Sequence, residues 1–114
     1  MTAAQPRKRT TVKLELLHIP DCPHTALALQ QVEAALAALG RQDIAVHMVR
    51  IDTPEDAAGT GFAGSPTITA DGGDIFPDRT PTGELACRLY PTPHGLAGVP
   101  APAQMLEALK NLGL

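Results

Sequence analysis

Residues 14–25 read LELLHIPDCPHT, and this stretch decides the fold. Its first part is apolar and typical of a β-strand, and Pro20 ends that strand. Cys22 follows, at the start of an Ala- and Leu-rich segment that is typical of a helix. A thiol at such a corner lies at the positive end of the helix dipole, which favours the thiolate over the thiol. The sequence therefore predicts a reactive cysteine between a strand and a helix.

The rest of the chain alternates between strand and helix patterns. We predict strands at residues 12–19, 43–51, 67–70 and 85–90. We predict helices at residues 24–39, from Pro54 to Gly59 or Gly61, and at residues 103–112. The Gly- and Pro-containing segments between them are typical of loops, with a turn at residues 71–74 and further loops at 75–83 and 91–102.

Local signals mark several ends of these elements. Thr53 is the predicted N-cap of the second helix, with Pro54 at its first position. Gly40 and Gly113 are the predicted stops of the first and last helices. Apolar stripes predict the buried faces of these two helices: Leu29, Val32, Leu36 and Leu39 in the first, and Met105, Leu106, Leu109 and Leu112 in the last.

The predicted order is β-α-β-α-β-β-α. Two parallel strands joined by a helix, followed by an antiparallel pair, predict an α/β fold with a mixed four-stranded sheet flanked by helices. We expect a disordered tail at residues 1–11 and a single domain at residues 12–114.

Composition narrows the class of protein. The chain has 114 residues, a net charge of −3 and 3% aromatic residues, which argues against a surface that stacks nucleic-acid bases. The basic cluster at residues 7–9 is interpreted as part of a solvated tail. No apolar run approaches the ~20 residues that span a bilayer, and residues 1–11 lack the apolar core of a signal peptide. We therefore expect a cytoplasmic protein with reduced cysteines and no membrane contact.

Two short motifs carry a resemblance to a known family. Cys22-Pro23-His24-Thr25 resembles the Cys-Pro-His-Cys active site of the DsbA branch of the thioredoxin superfamily, with Thr25 in place of the second cysteine. Ser65-Pro66-Thr67 is similar to the cis-proline loop of the same superfamily. The segment from Cys87 onward also resembles small bacterial thioredoxin-like proteins. The resemblance implies a thioredoxin-like fold and a cis bond before Pro66.

The residues around Cys22 have expected roles in its chemistry. Cys22 is the expected nucleophile, and a protonated His24 is expected to favour its thiolate, whereas Asp21 opposes it. Thr25 either donates a hydrogen bond to the thiolate or is simply a tolerated residue of the early helix. A cis Pro66 is expected to turn the backbone of Ser65 toward the sulfur, so that a substrate binds against Asp21, Pro23, Ser65, Pro66 and Thr67. Cys87 is either a second, resolving thiol or a small buried apolar residue.

A site without the second motif cysteine cannot store a disulfide within the motif. The expected function is therefore that of a thiol oxidoreductase in which Cys22 forms a mixed disulfide with glutathione, another small thiol or a protein thiol. One alternative is a catalytically silent module that binds a protein partner. Another is handling of a soft metal or an organomercurial by Cys22 and Cys87. No metal-ligand spacing is present, so we assign no metal and no cofactor.

Overall fold

A computed structural model describes residues 11–114, which form three α-helices and six strands. In chain order these elements are β1 (Leu14–His18), α1 (Thr25–Ala38), β2 (Val46–Arg50), α2 (Pro54–Ala57), β3 (Thr67–Ala70), β4 (Gly73–Asp74), β5 (Tyr90–Thr92), β6 (Gly95–Ala97) and α3 (Pro102–Asn111). The predicted tail lies outside the described residues except for Thr11, and so does the basic cluster at residues 7–9.

Four of the strands form a mixed sheet in the order β2-β1-β3-β4. β1 runs parallel to β2 and antiparallel to β3, so that Leu16 is paired with Met48 on one side and Ile68 on the other. β3 and β4 form a short antiparallel hairpin. The predicted α/β class with a mixed four-stranded sheet is confirmed.

Side chains of β1 alternate between two apolar clusters. Leu14 and Leu16 are fully buried in the larger cluster, which includes residues of α1 and α3. Leu17 packs in a smaller cluster with Ile51 and with Phe62. Since β1 is central and apolar on both faces, the corner that follows it at Cys22 starts from a well-anchored strand end.

Several predicted element ends are confirmed. Thr53 caps α2: its side chain accepts a hydrogen bond from the Asp56 N–H, and the Asp56 carboxylate accepts one from the Thr53 N–H. Gly40 and Gly113 have the positive φ angles, 69° and 88°, of residues that end helices. α1 begins one residue later than predicted, at Thr25, because His24 is its N-cap.

The prediction for residues 85–90 is wrong. The strand that pairs with β3 is the two-residue β4, whereas residues 85–89 form only one isolated bridge, between Cys87 and Ser65. Within this segment Arg88 and Tyr90 are buried, whereas Leu89 is half exposed. Burial of a guanidinium requires charged partners, and acidic residues outside this segment supply them.

The loop predicted at residues 91–102 contains a further hairpin. β5 and β6 pair antiparallel as a separate two-stranded sheet, with Tyr90 opposite Ala97. This hairpin adds two strands before α3 to the predicted order. Among the helices of the described residues, none has both the length and the apolar character that crossing a membrane requires.

Candidate functional site

Cys22 lies in the turn between β1 and α1. Pro20 and Asp21 form the turn, and Asp21 has a φ of 61°, in the left-handed region that Asp enters more readily than most residues. His24 is the N-cap of α1, which places Cys22 just before the free amides of the first helical turn. The thiol is half-buried and unbonded to another cysteine.

The groups around the sulfur lower its pKa. Burial alone raises the pKa of the Cys22 thiol, but the nearby hydroxyls of Ser65 and Thr25 and the backbone amides of His24 and Thr25 lower it by more. The net pKa lies below the usual 9.0 of a cysteine. Because donors to the charged form favour that form, the corner stabilises a thiolate.

Ser65 connects the sulfur to the end of β1. Its side chain is fully buried, and its Oγ accepts a hydrogen bond of 3.0 Å from the Ile19 N–H. The hydroxyl proton is therefore available for donation to Cys22. The peptide bond from Ser65 to Pro66 is cis, as predicted.

The Thr25 hydroxyl makes the weaker of the two hydroxyl contacts. Its Oγ1 is buried and meets no partner at ordinary hydrogen-bond geometry among residues 11–114, although it contributes to the lowered pKa of Cys22. A buried hydroxyl without another acceptor gains a favourable interaction when the neighbouring sulfur becomes charged. Thr25 thus adds to the preference for the thiolate.

The backbone of Ser65 is bonded to the protein's own chain. Its N–H donates to the Ala86 carbonyl at 2.9 Å, and its carbonyl accepts from the Arg88 N–H at 2.9 Å. These two bonds make the parallel bridge to Cys87. The backbone groups that were expected to receive a substrate are already paired with residues 86–88.

Pro66 and Thr67 are covered by the same region of the chain. The Tyr90 hydroxyl donates to the Pro66 carbonyl, and Arg88 Nη1 lies 3.5 Å from Thr67 Oγ1. Ser65, Pro66 and Thr67 are all buried as a result. A substrate that binds directly against them has to displace residues 86–90.

Arg88 is the residue of this region that sequence reasoning missed. It has no exposed surface, and its guanidinium donates to Asp74 and Asp78 at 2.7 Å and to the Phe76 carbonyl at 2.5 Å. Burial raises the pKa of Asp74 despite these contacts, and the same burial raises the pKa of Tyr90, which donates as a neutral phenol. The sequence signal for this buried ion-pair cluster was the presence of Asp74 and Asp78, 14 and 10 positions before Arg88.

The remaining predicted residues are placed around this centre. Asp21 and Pro23 are exposed on the turn, and Asp21 is not among the groups that shift the pKa of Cys22. The His24 ring lies against Gly98, where an added Cβ would overlap it. Cys87 is an exposed free thiol, so the prediction of a buried apolar role for it is wrong.

A polar cleft of about 580 Å³ opens beside Cys87. Its walls include Arg79 and Glu84 as well as Cys87, but not Cys22. The described residues contain no group of three or more His, Cys, Asp or Glu side chains placed to hold a metal ion.

Comparison with known proteins identified no relative of this chain. The chain matches no protein-family model, no curated protein and no solved structure at a significant level.

Proposed function

We propose that this protein is a thioredoxin-like thiol oxidoreductase in which Cys22 acts as a single nucleophilic thiol. The observation that carries the proposal is the position of Cys22 just before the first amides of α1, at the end of β1 where Ser65, the residue before cis Pro66, is bonded. The lowered pKa of the Cys22 thiol agrees with this position. The order of β1, α1 and parallel β2, then a cis proline leading into antiparallel β3, supports the thioredoxin-like assignment.

The chemistry is thiol–disulfide exchange. The Cys22 thiolate attacks one sulfur of a disulfide, a mixed disulfide with Cys22 forms, and the other sulfur leaves as a thiolate. The hydroxyls of Ser65 and Thr25 and the backbone N–H of His24 all lower the pKa of the Cys22 thiol and so increase the thiolate fraction. The partners we propose are glutathione, other small thiols or a protein thiol, in the cytoplasm, where such thiols are reduced.

Alkylation kinetics test this proposal. The rate of alkylation of each cysteine by iodoacetamide, measured across a pH series by mass spectrometry, reports the pKa of that thiol. We expect Cys22 to react with a midpoint below the usual value and Cys87 to serve as the internal comparison. Equal midpoints for the two cysteines, or no disulfide of any kind at Cys22 after incubation with glutathione disulfide, would contradict the proposal.

Burial of the cis-proline loop favours a second candidate, a catalytically silent thioredoxin-like module that binds a protein partner. Ser65 and Thr67 are shielded by residues 86–90, so an extended substrate has no open backbone to pair with. Cys22→Ser distinguishes the two candidates: the silent module keeps its partner when Cys22 is replaced, whereas the oxidoreductase loses every mixed disulfide.

A further inference from the structure

Cys22 and Cys87 share one neighbour, Ser65. Cys87 is the residue bridged to Ser65 in a parallel pairing, and adjacent strands in such a ladder lie about 4.8 Å apart. Side chains of paired residues project from the same face of a ladder. The Ser65 side chain projects toward the turn that carries Cys22, since its Oγ accepts a hydrogen bond of 3.0 Å from the N–H of Ile19, the residue that follows β1. The lowered pKa of the Cys22 thiol, to which the Ser65 hydroxyl contributes, agrees with this direction. The Cys87 side chain therefore leaves the backbone on the side where Cys22 lies.

Residues 86–88 are held at this place. Two backbone hydrogen bonds flank Cys87, from Ser65 to Ala86 and from Arg88 to Ser65. Arg88 is anchored by its ion pairs with Asp74 and Asp78, which prevents the segment from sliding along Ser65. Cys87 itself is exposed and is not bonded to another cysteine.

We propose that Cys87 is the resolving thiol for Cys22. The proposal rests on the proposed thiol oxidoreductase function and deepens it: the second cysteine that the Cys22-Pro23-His24-Thr25 motif lacks is supplied by the segment bridged to Ser65. The substrate class is then a small-molecule disulfide, because residues 86–90 leave no open pairing position for an extended peptide at Ser65.

The exchange occurs in two steps. The Cys22 thiolate attacks a small disulfide RSSR, forms the mixed disulfide Cys22–S–S–R and releases RS⁻, which takes a proton from water. Cys87 then loses its proton to water and attacks the Cys22 sulfur, which breaks the mixed disulfide, releases the second RS⁻ and forms a Cys22–Cys87 disulfide. The two cysteines lose two electrons and RSSR gains them.

A single-turnover experiment with glutathione disulfide tests this proposal. The reduced full-length protein is mixed with glutathione disulfide, quenched with acid at intervals and analysed by intact mass and peptide mapping. We expect the wild type to lose two hydrogens through a Cys22–Cys87 disulfide with little glutathione adduct. In Cys87→Ser we expect the Cys22 adduct to persist about a hundredfold longer, since a thiol held beside the site acts at a high effective concentration.

A relocated cysteine provides the matched control. Cys87→Ser/Ala86→Cys keeps the number of thiols and moves the second one by a single residue, to a position whose side chain projects from the opposite face of the ladder. Ala86 is exposed, so the substitution fits without repacking. We expect the adduct of this variant to persist as it does in Cys87→Ser.

The outcomes separate the two proposals. A wild-type adduct at Cys22 that is as long-lived as that of Cys87→Ser, or an internal disulfide formed as fast by the relocated cysteine, overturns the role of Cys87 and leaves the single-thiol function intact. Absence of any adduct at Cys22 in Cys87→Ser overturns the proposed function itself.

Discussion

The guanidinium carbon of Arg88 lies 4.4 Å from the centre of the Tyr90 ring, and both side chains are buried over the cis-proline loop. Tyr90 bonds to the Pro66 carbonyl, and Arg88 joins Asp74 and Asp78 to the segment bridged to Ser65. A cation–π contact and two ion pairs thus converge on one arginine. The position of residues 86–90 depends on this arginine.

Removal of the Arg88 side chain should therefore be costly. In Arg88→Ala the buried Asp74 carboxylate loses its cation, which typically costs about 3–5 kcal/mol of stability. Arg88→Lys should retain only part of the stability that Arg88→Ala loses. A single ammonium cannot reach Asp74, Asp78 and the Phe76 carbonyl together. Urea unfolding measures both variants.

The matched control for Arg88 is Arg50→Ala. Arg50 pairs with Asp52 at the same 2.7 Å, but both side chains are largely exposed, and such pairs contribute only about 0–1 kcal/mol. Equal losses of stability in Arg88→Ala and Arg50→Ala would contradict the structural role assigned to Arg88.

Ser65→Ala should raise the pKa of Cys22. The substitution removes the hydroxyl donor to the sulfur, and a rise of one pKa unit reduces the thiolate fraction near neutral pH about tenfold. It also leaves the Ile19 N–H without its acceptor, which costs about 1–3 kcal/mol. The pH dependence of alkylation and urea unfolding measure the two effects.

Thr69→Val is the control for Ser65→Ala. Thr69 is equally buried in the following strand β3, but its hydroxyl has no hydrogen-bond partner among the described residues. Replacing it with the isosteric apolar side chain should leave both the pKa of Cys22 and the stability unchanged or slightly improve the latter. A reactivity loss in Thr69→Val similar to that in Ser65→Ala would show that the Ser65 hydroxyl has no specific role.

His24→Ala should change the reactivity of Cys22 little. The backbone N–H of His24, which the variant retains, is the part of this residue that lowers the pKa of the thiol, whereas the ring packs against Gly98. We expect an alkylation rate within about threefold of the wild type, which corresponds to less than half a pKa unit. A tenfold slower rate would assign the effect to the imidazole instead.

The stability of the fold should rise with pH because of Cys22. The folded pKa lies below the usual 9.0, so between these two values the unfolded chain binds a proton that the folded chain has released. The contribution is complete above 9.0 and is lost as the pH falls through the folded pKa. Urea unfolding of wild type and Cys22→Ser at several pH values isolates the contribution of Cys22 to the free energy of unfolding, since Cys87 is common to both. A stability difference that shrinks with rising pH would contradict the lowered pKa.

The sequence predicts correctly those features of the fold that depend on a few neighbouring residues. The Thr53 cap, strand β3 at residues 67–70, the cysteine at the start of α1 and the cis bond before Pro66 each depend on a few neighbouring residues. Such short-range patterns are readable because the responsible groups lie within one turn of each other.

The segment at residues 85–90 could not be predicted in the same way. Its alternation is equally compatible with either face inward. Asp74 and Asp78 determine which face of the segment is buried, because they compensate the charge of buried Arg88. Both lie far from Arg88 in sequence. The placement of Cys87 beside Ser65 follows from that long-range pairing and was open at the level of sequence.

The left-handed backbone of Asp21 restricts which residue types fit at the position directly before Cys22. At a φ of 61°, glycine, asparagine and aspartate are tolerated, whereas valine, isoleucine and threonine suffer steric overlap with their own backbone. The charge next to the thiol can therefore be removed through Asp21→Asn without disturbing the turn, and charge and shape at this corner can be varied independently.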